Sequence, residues 1–563
     1  MRAARSLVPR PDRRRRSPSV GRRVVAGLIA VALITAACDG SDTGAPAAGP
    51  AADSNSDEPM EDTMPSDPTN SSEPVTPRPD PTREDGAEES IDDGAACSPP
   101  AGNTPWYDSI VAFEHHDSGR THTFPCATFS GSIDGPNVVE AMVSPIAYPT
   151  VYNAVHLEPG EAFLYGGGYG DNPNAEGHFV ARVDPVTLDE TWRTELFDAA
   201  SRPDVWVYPG VIAALDDGFV YAIHGTNFTR LDPATGAVLA QLELPTEGDR
   251  ADAAYNGFTG LTDGSIVAKT VHRQAGCTEQ GFPAFLRCPD PLAVPASTIV
   301  VIDPATMTVL DTTVADEFLG GRITATARNG RDYVYLTGSS TAFRYEWDGK
   351  NLRLDDTWTP PPFLLDGQTT ASAVAVLGDH VVFQTNAVPS TTPMSVVAID
   401  QDDATLTRLE PFAGEDAAFS WLPAKLSVDP DNGIAYAMDG AVGKAGAWRI
   451  DPTTGTFEEL WIVDQVTMNF STLVGPADER VFIATDFAGV DPDLVDRNPL
   501  ALALATGEQV VFRNAATGEE LARSGTLPRM STGALVTPAP GGDVLYFGLD
   551  GDVVRLHVEP AAD

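Results

Sequence analysis

Glu114, His115, His116 and Asp117 stand in a row, and His122 follows closely. Imidazoles and carboxylates at that density have the chemistry to ligate a transition metal. In an extended strand, however, residues 115 and 116 point to opposite faces. The expectation is therefore a solvated hairpin near the start of the folded domain. A glycine-rich stretch, Tyr165 to Asp171, leads into Asp171, Asn174 and Glu176, whose oxygens suit calcium. Pro173 and Ala175 occupy the alternate positions, so the EF-hand spacing fails and a plain loop is expected. Calcium there is the one cofactor this reading leaves open. Asp429-Pro430-Asp431-Asn432-Gly433 and Asp550-Gly551-Asp552 lie between β-like runs and read as hairpin turns. The chain has no G-x-S-x-G nucleophile elbow and no H-E-x-x-H. No catalytic, cofactor-binding or metal-ligating residue is assigned.

Cysteine carries the strongest chemical signal. Residues 2–23 hold nine arginines, Val24 to Ala37 run without a charge, and Ala36-Ala37 precede Cys38. A basic region, an apolar region and small residues before a cleavage point make an export leader. With a cysteine directly after that point, the leader resembles the bacterial lipoprotein signal, apart from Thr35 where Leu is usual. The resemblance implies cleavage after residue 37 and a lipid on the Cys38 sulfur. The membrane is then a partner, and the protein sits lipid-anchored on the extracytoplasmic face. An ordinary secretory leader and an uncleaved helix are the alternatives. The helix is disfavoured because fourteen apolar residues fall short of the roughly 20 needed to span. Cys97, Cys126, Cys277 and Cys288 remain, an even number that suits disulfides outside the cytoplasm. Four cysteines allow three connectivities. The low cost of closing short loops favours 97–126 and 277–288.

Residues 39–96 contain sixteen Asp or Glu, two Arg and no aromatic residue. Such a segment buries too little apolar surface to fold and repels itself. The reading is a leader at 1–37, a disordered acidic tether at 38–96, and a folded domain at 97–563. The whole chain carries a formal charge of −44. A surface of that sign repels phosphates and anionic headgroups, so nucleic acid is excluded as a partner. A protein or glycan ligand is left unidentified. Only four lysines accompany 32 arginines, residue usage that fits a GC-rich bacterial genome.

The elements that must position any site are strands. From residue 97 onward, short alternating apolar runs such as 218–233, 332–349 and 543–558 are separated by Gly, Asp, Asn and Pro. Period-two alternation with β-branched and aromatic residues argues an all-β domain. A repeat organises it. An apolar residue is followed by Asp and a Pro-x-Thr-Gly-like turn at Asp184, Asp232, Asp303 and Asp451, with weaker copies at Asp348, Asp400 and Asn514. Val554-Arg555-Leu556 forms a last copy without its turn. Counting His557 as its reference position, the intervals are 48, 71, 45, 52, 51, 63 and 43 residues. Each matches one four-stranded propeller blade.

This array resembles the PQQ-like, quinoprotein-type propeller repeat, which reads roughly A-x-D-x-x-T-G-x-x-x-W. Asp184, Thr187 and Trp192 match it at three offsets. Asp232-Thr235-Gly236 and Asn514-Thr517-Gly518 match the turn but carry Ala240 and Ala522 for Trp. After Asp451, Trp461 comes two places late. The resemblance implies a β-propeller of eight four-stranded blades, with seven as the alternative. Catalytic quinoproteins use adjacent cysteines beside the cofactor, and this chain has none. The last repeat supplies too few strands, so an N-terminal strand must close the ring. Ile110–Glu114 or Thr121–Ser130 is expected to do so, braced by Cys97–Cys126.

The function expected is a non-catalytic binding or scaffold module. The alternative is an extracytoplasmic enzyme, either a lactonase-like metal-dependent hydrolase or a quinoprotein-like oxidoreductase. If Cys38 carries the anchor, the protein partitions with membranes into detergent. Cys38→Ala is then expected to release it or to leave it uncleaved, as read by fractionation and N-terminal mass. A correctly cleaved variant still held on the membrane would refute the anchor.

Overall fold

The computed structural model describes residues 105–168, 177–290, 293–415, 420–421, 425–487, 507–530 and 534–562. The leader, the tether, Cys97 and the candidate calcium residues 171, 174 and 176 lie outside them. The described residues form eight sheets arranged as blades. In chain order the first seven cover 151–195, 211–243, 253–314, 324–354, 375–409, 427–464 and 472–523. The eighth combines Thr537–Ala539, Asp543–Phe547 and Val553–Pro560 with Asn137–Val143. Among the described residues no helix is long and apolar enough to cross a membrane.

Alternation sets each strand's place. The first strand of the first blade, Val151–His156, is buried throughout. Its outer strand, Glu190–Glu195, alternates between half-buried and exposed. Apolar clusters seal the blade interfaces. One, around Val267, Ile299, Val334 and Trp347, joins the third and fourth blades. Another, around Phe482, Tyr436 and Trp461, joins the sixth and seventh.

The repeated Asp builds one turn six times, and Asn514 builds it a seventh. Asp232 Oδ1 accepts from the amides of Ala234 and Thr235 at 2.8 and 2.9 Å, and Gly236 N–H donates to the Asp232 carbonyl at 2.8 Å. The same two-amide pattern recurs at Asp184, Asp303, Asp348, Asp400, Asp451 and Asn514. A short side-chain acceptor does locally what a longer loop would otherwise do. Gly236 has φ +73° and lies against the Trp192 ring, where a Cβ would come within 2.5 Å of Cε3. Trp192 Nε1 donates to the Pro233 carbonyl, and Trp461 Nε1 to the corresponding Ala515 carbonyl. Trp461 therefore docks on the next blade despite its late position. A displacement of two keeps a strand residue on the same face.

Ring closure differs from the sequence expectation. The eighth blade takes its outer strand from Asn137–Val143, antiparallel to Val553–Pro560, with Asn137 opposite Pro560 and Val143 opposite Val554. An outer strand is half exposed, and Asn137–Val143 carries that pattern. The residues nominated for this role are mostly buried instead. Thr123–Phe124 pairs in parallel with Thr472–Val474 of the seventh blade, as a fifth strand. Ser130 bonds the eighth blade, donating to Val558 O at 2.5 Å, and Val111, Phe124, Ala127 and Phe129 pack against its apolar side chains, but none of them supplies its outer strand.

The segment 105–124 lies in the central channel. Inner strands present unpaired amides there, and six of them donate to its carbonyls. The pairs are His156 to Val111, Ala214 to Ala112, Ala325 to Ser118, Val376 to Gly119, Val428 to Thr121, and Leu473 to His122, at 2.8–2.9 Å. In the third blade the Phe258 carbonyl accepts from Arg120 Nη2 at 3.1 Å. Phe113 is fully buried and stacks on Trp106 at 4.3 Å. Phe113→Ala is expected to cost about 3–5 kcal/mol in denaturant unfolding. Deletion of residues 45–90 is expected to leave the unfolding midpoint unchanged.

Candidate functional site

The channel segment carries the polar row singled out in the sequence, and burial replaces the expected solvation. Glu114 and His115 are 2% and 0% exposed, and His122 is 0%. Glu114 Oε1 accepts from Arg120 Nη1 and from Arg322 Nη1, each at 3.0 Å. His115 Nε2 lies 2.8 Å from Glu114 Oε1 and 2.8 Å from Lys425 Nζ. His115 and His122 stack at 4.3 Å. Burial, and then the charge of Lys425, hold both imidazoles well below the ordinary histidine range. Both are neutral at pH 7, so the stack carries no like-charge repulsion.

The row divides although it runs through turns and not through a strand. His116 turns to the edge of Phe124 at 5.2 Å. Asp117 forms a turn, accepting from Thr121 N at 3.1 Å and Thr121 Oγ1 at 2.9 Å. His116, Arg120 and His122 hold φ of +73°, +54° and +61°. Left-handed backbone at residues with a Cβ is costly and persists only where surrounding bonds over-determine it. Here the inner strands and the Arg120 guanidinium supply those bonds. Among the described residues, no three His, Cys, Asp or Glu converge to hold a metal ion.

The sequence reading missed most of the partners. Arg322 and Lys425 lie 208 and 310 residues from the groups they meet. Tyr152 OH receives Arg322 Nη2 at 2.5 Å. Lys269, fully buried, donates to the Leu319 carbonyl. One signal was available: two of the four lysines stand in apolar runs, Ile266–His272 and Leu422–Val428. Burial lowers both lysines well below the ordinary range.

Residues outside the strands bring a group of aromatic rings together. Tyr208 packs against Trp206 at 4.9 Å and Phe285 at 5.4 Å, and Phe285 meets Phe318 at 6.1 Å. Phe285 belongs to the insertion closed by the Cys277–Cys288 disulfide, the pairing expected from sequence. Cys126 is disulfide-bonded as well, while Cys97, its expected partner, lies outside the described residues. His178 Nδ1 lies 2.9 Å from Tyr165 OH, and its ring is 5.7 Å from His224. The two other acidic motifs are turns. Asp429 accepts from Asp431 N and Asn432 N and is paired with Arg480, so a cation of the chain already fills that role. Asp550 accepts from Asp552 N within its hairpin.

Glu508 is a second buried carboxyl that the sequence did not mark. Its Oε2 receives Asn469 Nδ2 at 3.0 Å, and burial pushes it up to about 8. A folded-state value above the unfolded one means that ionisation opposes folding. The stability linked to this group is full below about pH 4.5 and is lost as pH rises through about 8. Glu508→Gln is expected to raise the melting temperature at about pH 9 by several degrees, with no gain near pH 5. A thermal-melt series across pH checks this.

No protein-family model and no curated protein sequence matches the chain. Solved structures do. The quinohemoprotein alcohol dehydrogenase from Comamonas testosteroni superposes with a TM-score of 0.52 at 12% identity, covering 81% of this chain and 80% of that one. A quinohemoprotein alcohol dehydrogenase from Pseudomonas putida HK5 gives 0.52 at 11% identity, covering 82% of each chain. At such identities the likeness is one of fold: the described residues form a β-propeller of eight blades, similar in fold to these enzymes.

Proposed function

We propose that the chain is a surface-tethered, non-catalytic propeller that binds a ligand or scaffolds a partner outside the membrane. One observation carries the reading. The channel, the place where a propeller most readily houses a reacting group, is taken by the chain's own residues 105–124, bonded to six inner strands. Phe113, Glu114, His115 and Arg120 fill it as buried side chains. The leader ending at Ala37, the lipid on Cys38 and the acidic tether give the propeller its position, and its strongly negative charge keeps it soluble there.

The second reading is an oxidoreductase like the alcohol dehydrogenases whose fold it shares. The described residues do not fit a quinone with its calcium. The described residues offer no converging set of three His, Cys, Asp or Glu, and the sequence has no adjacent cysteines. A metal-dependent lactonase meets the same objection from the donor set. The exported protein, given calcium and pyrroloquinoline quinone, is expected to show no dye reduction with primary alcohols and no hydrolysis of lactones. Turnover above background in either assay would overturn the non-catalytic reading. Crosslinking in intact cells is expected to capture a defined partner.

A further inference from the structure

The seam between the first and second blades holds two buried histidines. His178 leads into Phe179–Val183 of the first blade, and His224 ends Val220–His224 of the second. They are 1% and 2% exposed. Each ring is held by one nitrogen. His178 Nδ1 lies 2.9 Å from Tyr165 OH, and His224 Nε2 lies 3.1 Å from Thr229 Oγ1. The other two nitrogens, His178 Nε2 and His224 Nδ1, are buried without a hydrogen-bond partner. Buried polar atoms are rarely left in that state.

Neighbouring bonds decide which nitrogen carries the proton. Tyr165 OH accepts from Gly210 N and donates to the Ile223 carbonyl, both at 3.2 Å. With its one hydrogen given to Ile223, the hydroxyl receives Nδ1–H of His178. His178 Nε2 is then a bare lone pair. The opposite tautomer would orphan a buried N–H, the rarer outcome. The same reasoning puts the His224 proton on Nε2, donated to Thr229, and leaves Nδ1 bare. A histidine whose far nitrogen donates to a fixed oxygen has the usual form of a metal ligand. Burial keeps both rings neutral at pH 7, so no proton competes for the lone pairs.

The spacing fits one ion. The ring centres stand 5.7 Å apart, with planes inclined by 51°. With metal–nitrogen bonds of about 2 Å, two imidazoles sharing an ion place their ring centres about 5–6 Å apart. Gly168, at φ +86°, passes over the His178 ring, where a Cβ would come within 2.5 Å of Cε1. The glycine-rich stretch thus makes room for this imidazole. The other imidazole pair, His115 and His122, stacks at 4.3 Å and feels the charges of Lys425 and Arg120, which repel a cation. The donor set in the seam selects the metal. Two neutral nitrogens leave the ion's charge uncompensated, and the cost of burying it grows with the square of that charge. A monovalent ion that accepts two ligands is therefore favoured over zinc or calcium. Cuprous copper is such an ion, and imidazole suits copper.

We propose that His178 and His224 form a two-coordinate site for cuprous copper that bridges the first and second blades. His178 Nε2 and His224 Nδ1 are the ligands. This goes beyond the scaffold reading and stands whether or not a partner is captured.

Anaerobic titration of the exported full chain with Cu(I), in competition with bicinchoninate, tests the site, with Zn(II) and Ca(II) as the other probes. One equivalent of Cu(I) is expected to be held against the chelator. It is also expected to raise the melting temperature, since an ion bound by the folded state alone stabilises that state. Zn(II) and Ca(II) are expected to bind more weakly, by roughly tenfold or more. His178→Gln and His224→Gln are each expected to lose that equivalent, with affinity down by roughly a hundredfold or more. X-ray absorption of the loaded wild type is expected to show two nitrogen neighbours and no sulfur, which separates this site from a cysteine thiol. The site is refuted if the wild type holds no Cu(I), if either folded variant holds it as before, if Zn(II) binds more tightly, or if sulfur enters the coordination shell. Should both variants fail to fold, the absorption spectrum of the wild type decides.

Discussion

The structure depends on what happens to the inner edge of each blade. A four-stranded blade leaves one row of backbone amides facing the propeller axis, and unpaired edges are a liability. In this chain the carbonyls of 111–122 accept from six of those edges, at intervals that follow the ring around. An extended segment with few side-chain demands would suffice for the bonds alone. This one also brings Trp106, Phe113 and Phe124 into the apolar clusters of the first three and last two blades. Channel filling and blade packing are thus parts of one core.

The same N-terminal region then leaves the channel and closes the ring. After Thr123–Phe124 pairs with the seventh blade, the chain passes Ser130 and supplies Asn137–Val143 to the eighth. Closure joins residues more than 400 positions apart. Contacts of such separation are slow to form because loop-closure entropy precedes any gain. The arrangement ties the state of the channel to the integrity of the ring, since fewer than 40 residues serve both.

Charge is sorted radially. Carboxylates crowd the outer turns, where Asp184, Asp232, Asp303 and Asp451 are spent on backbone amides. Basic groups collect on the axis around Glu114, where low polarisability makes each pairing matter more. Neutral, stacked His115 and His122 separate the pair Arg120–Glu114 from Phe470, whose ring meets both imidazoles. Lys425 covers the same Phe470 ring at 5.0 Å. The polar groups on the axis bond to one another and to the inner strands.

The repeated turns were legible because their physics is local. Asp232 needs only the amides two and three residues on, so its spacing to Thr235 and Gly236 is written in the sequence. Eight blades follow from counting such turns, and the missing turn after Val554 correctly marks a blade completed from elsewhere. Cys277 and Cys288 pair across a short loop for the same reason. The identity of the closing strand was not legible, because being outermost is a relation to solvent and to another strand. Asn137–Val143 has the right alternation, but only Val553–Pro560 beside it gives that pattern a place. Glu114, His115 and His122 were visible as a polar row, and adjacency correctly split His116 from them. Their burial was not visible, since it comes from the whole ring of blades closing around them, and neither was Arg322 or Lys425 beside them. The sequence alone determined the repeating unit, through bonds that span a few residues. Only the tertiary structure decided what fills the axis, because that requires groups hundreds of residues apart to share one low-dielectric space.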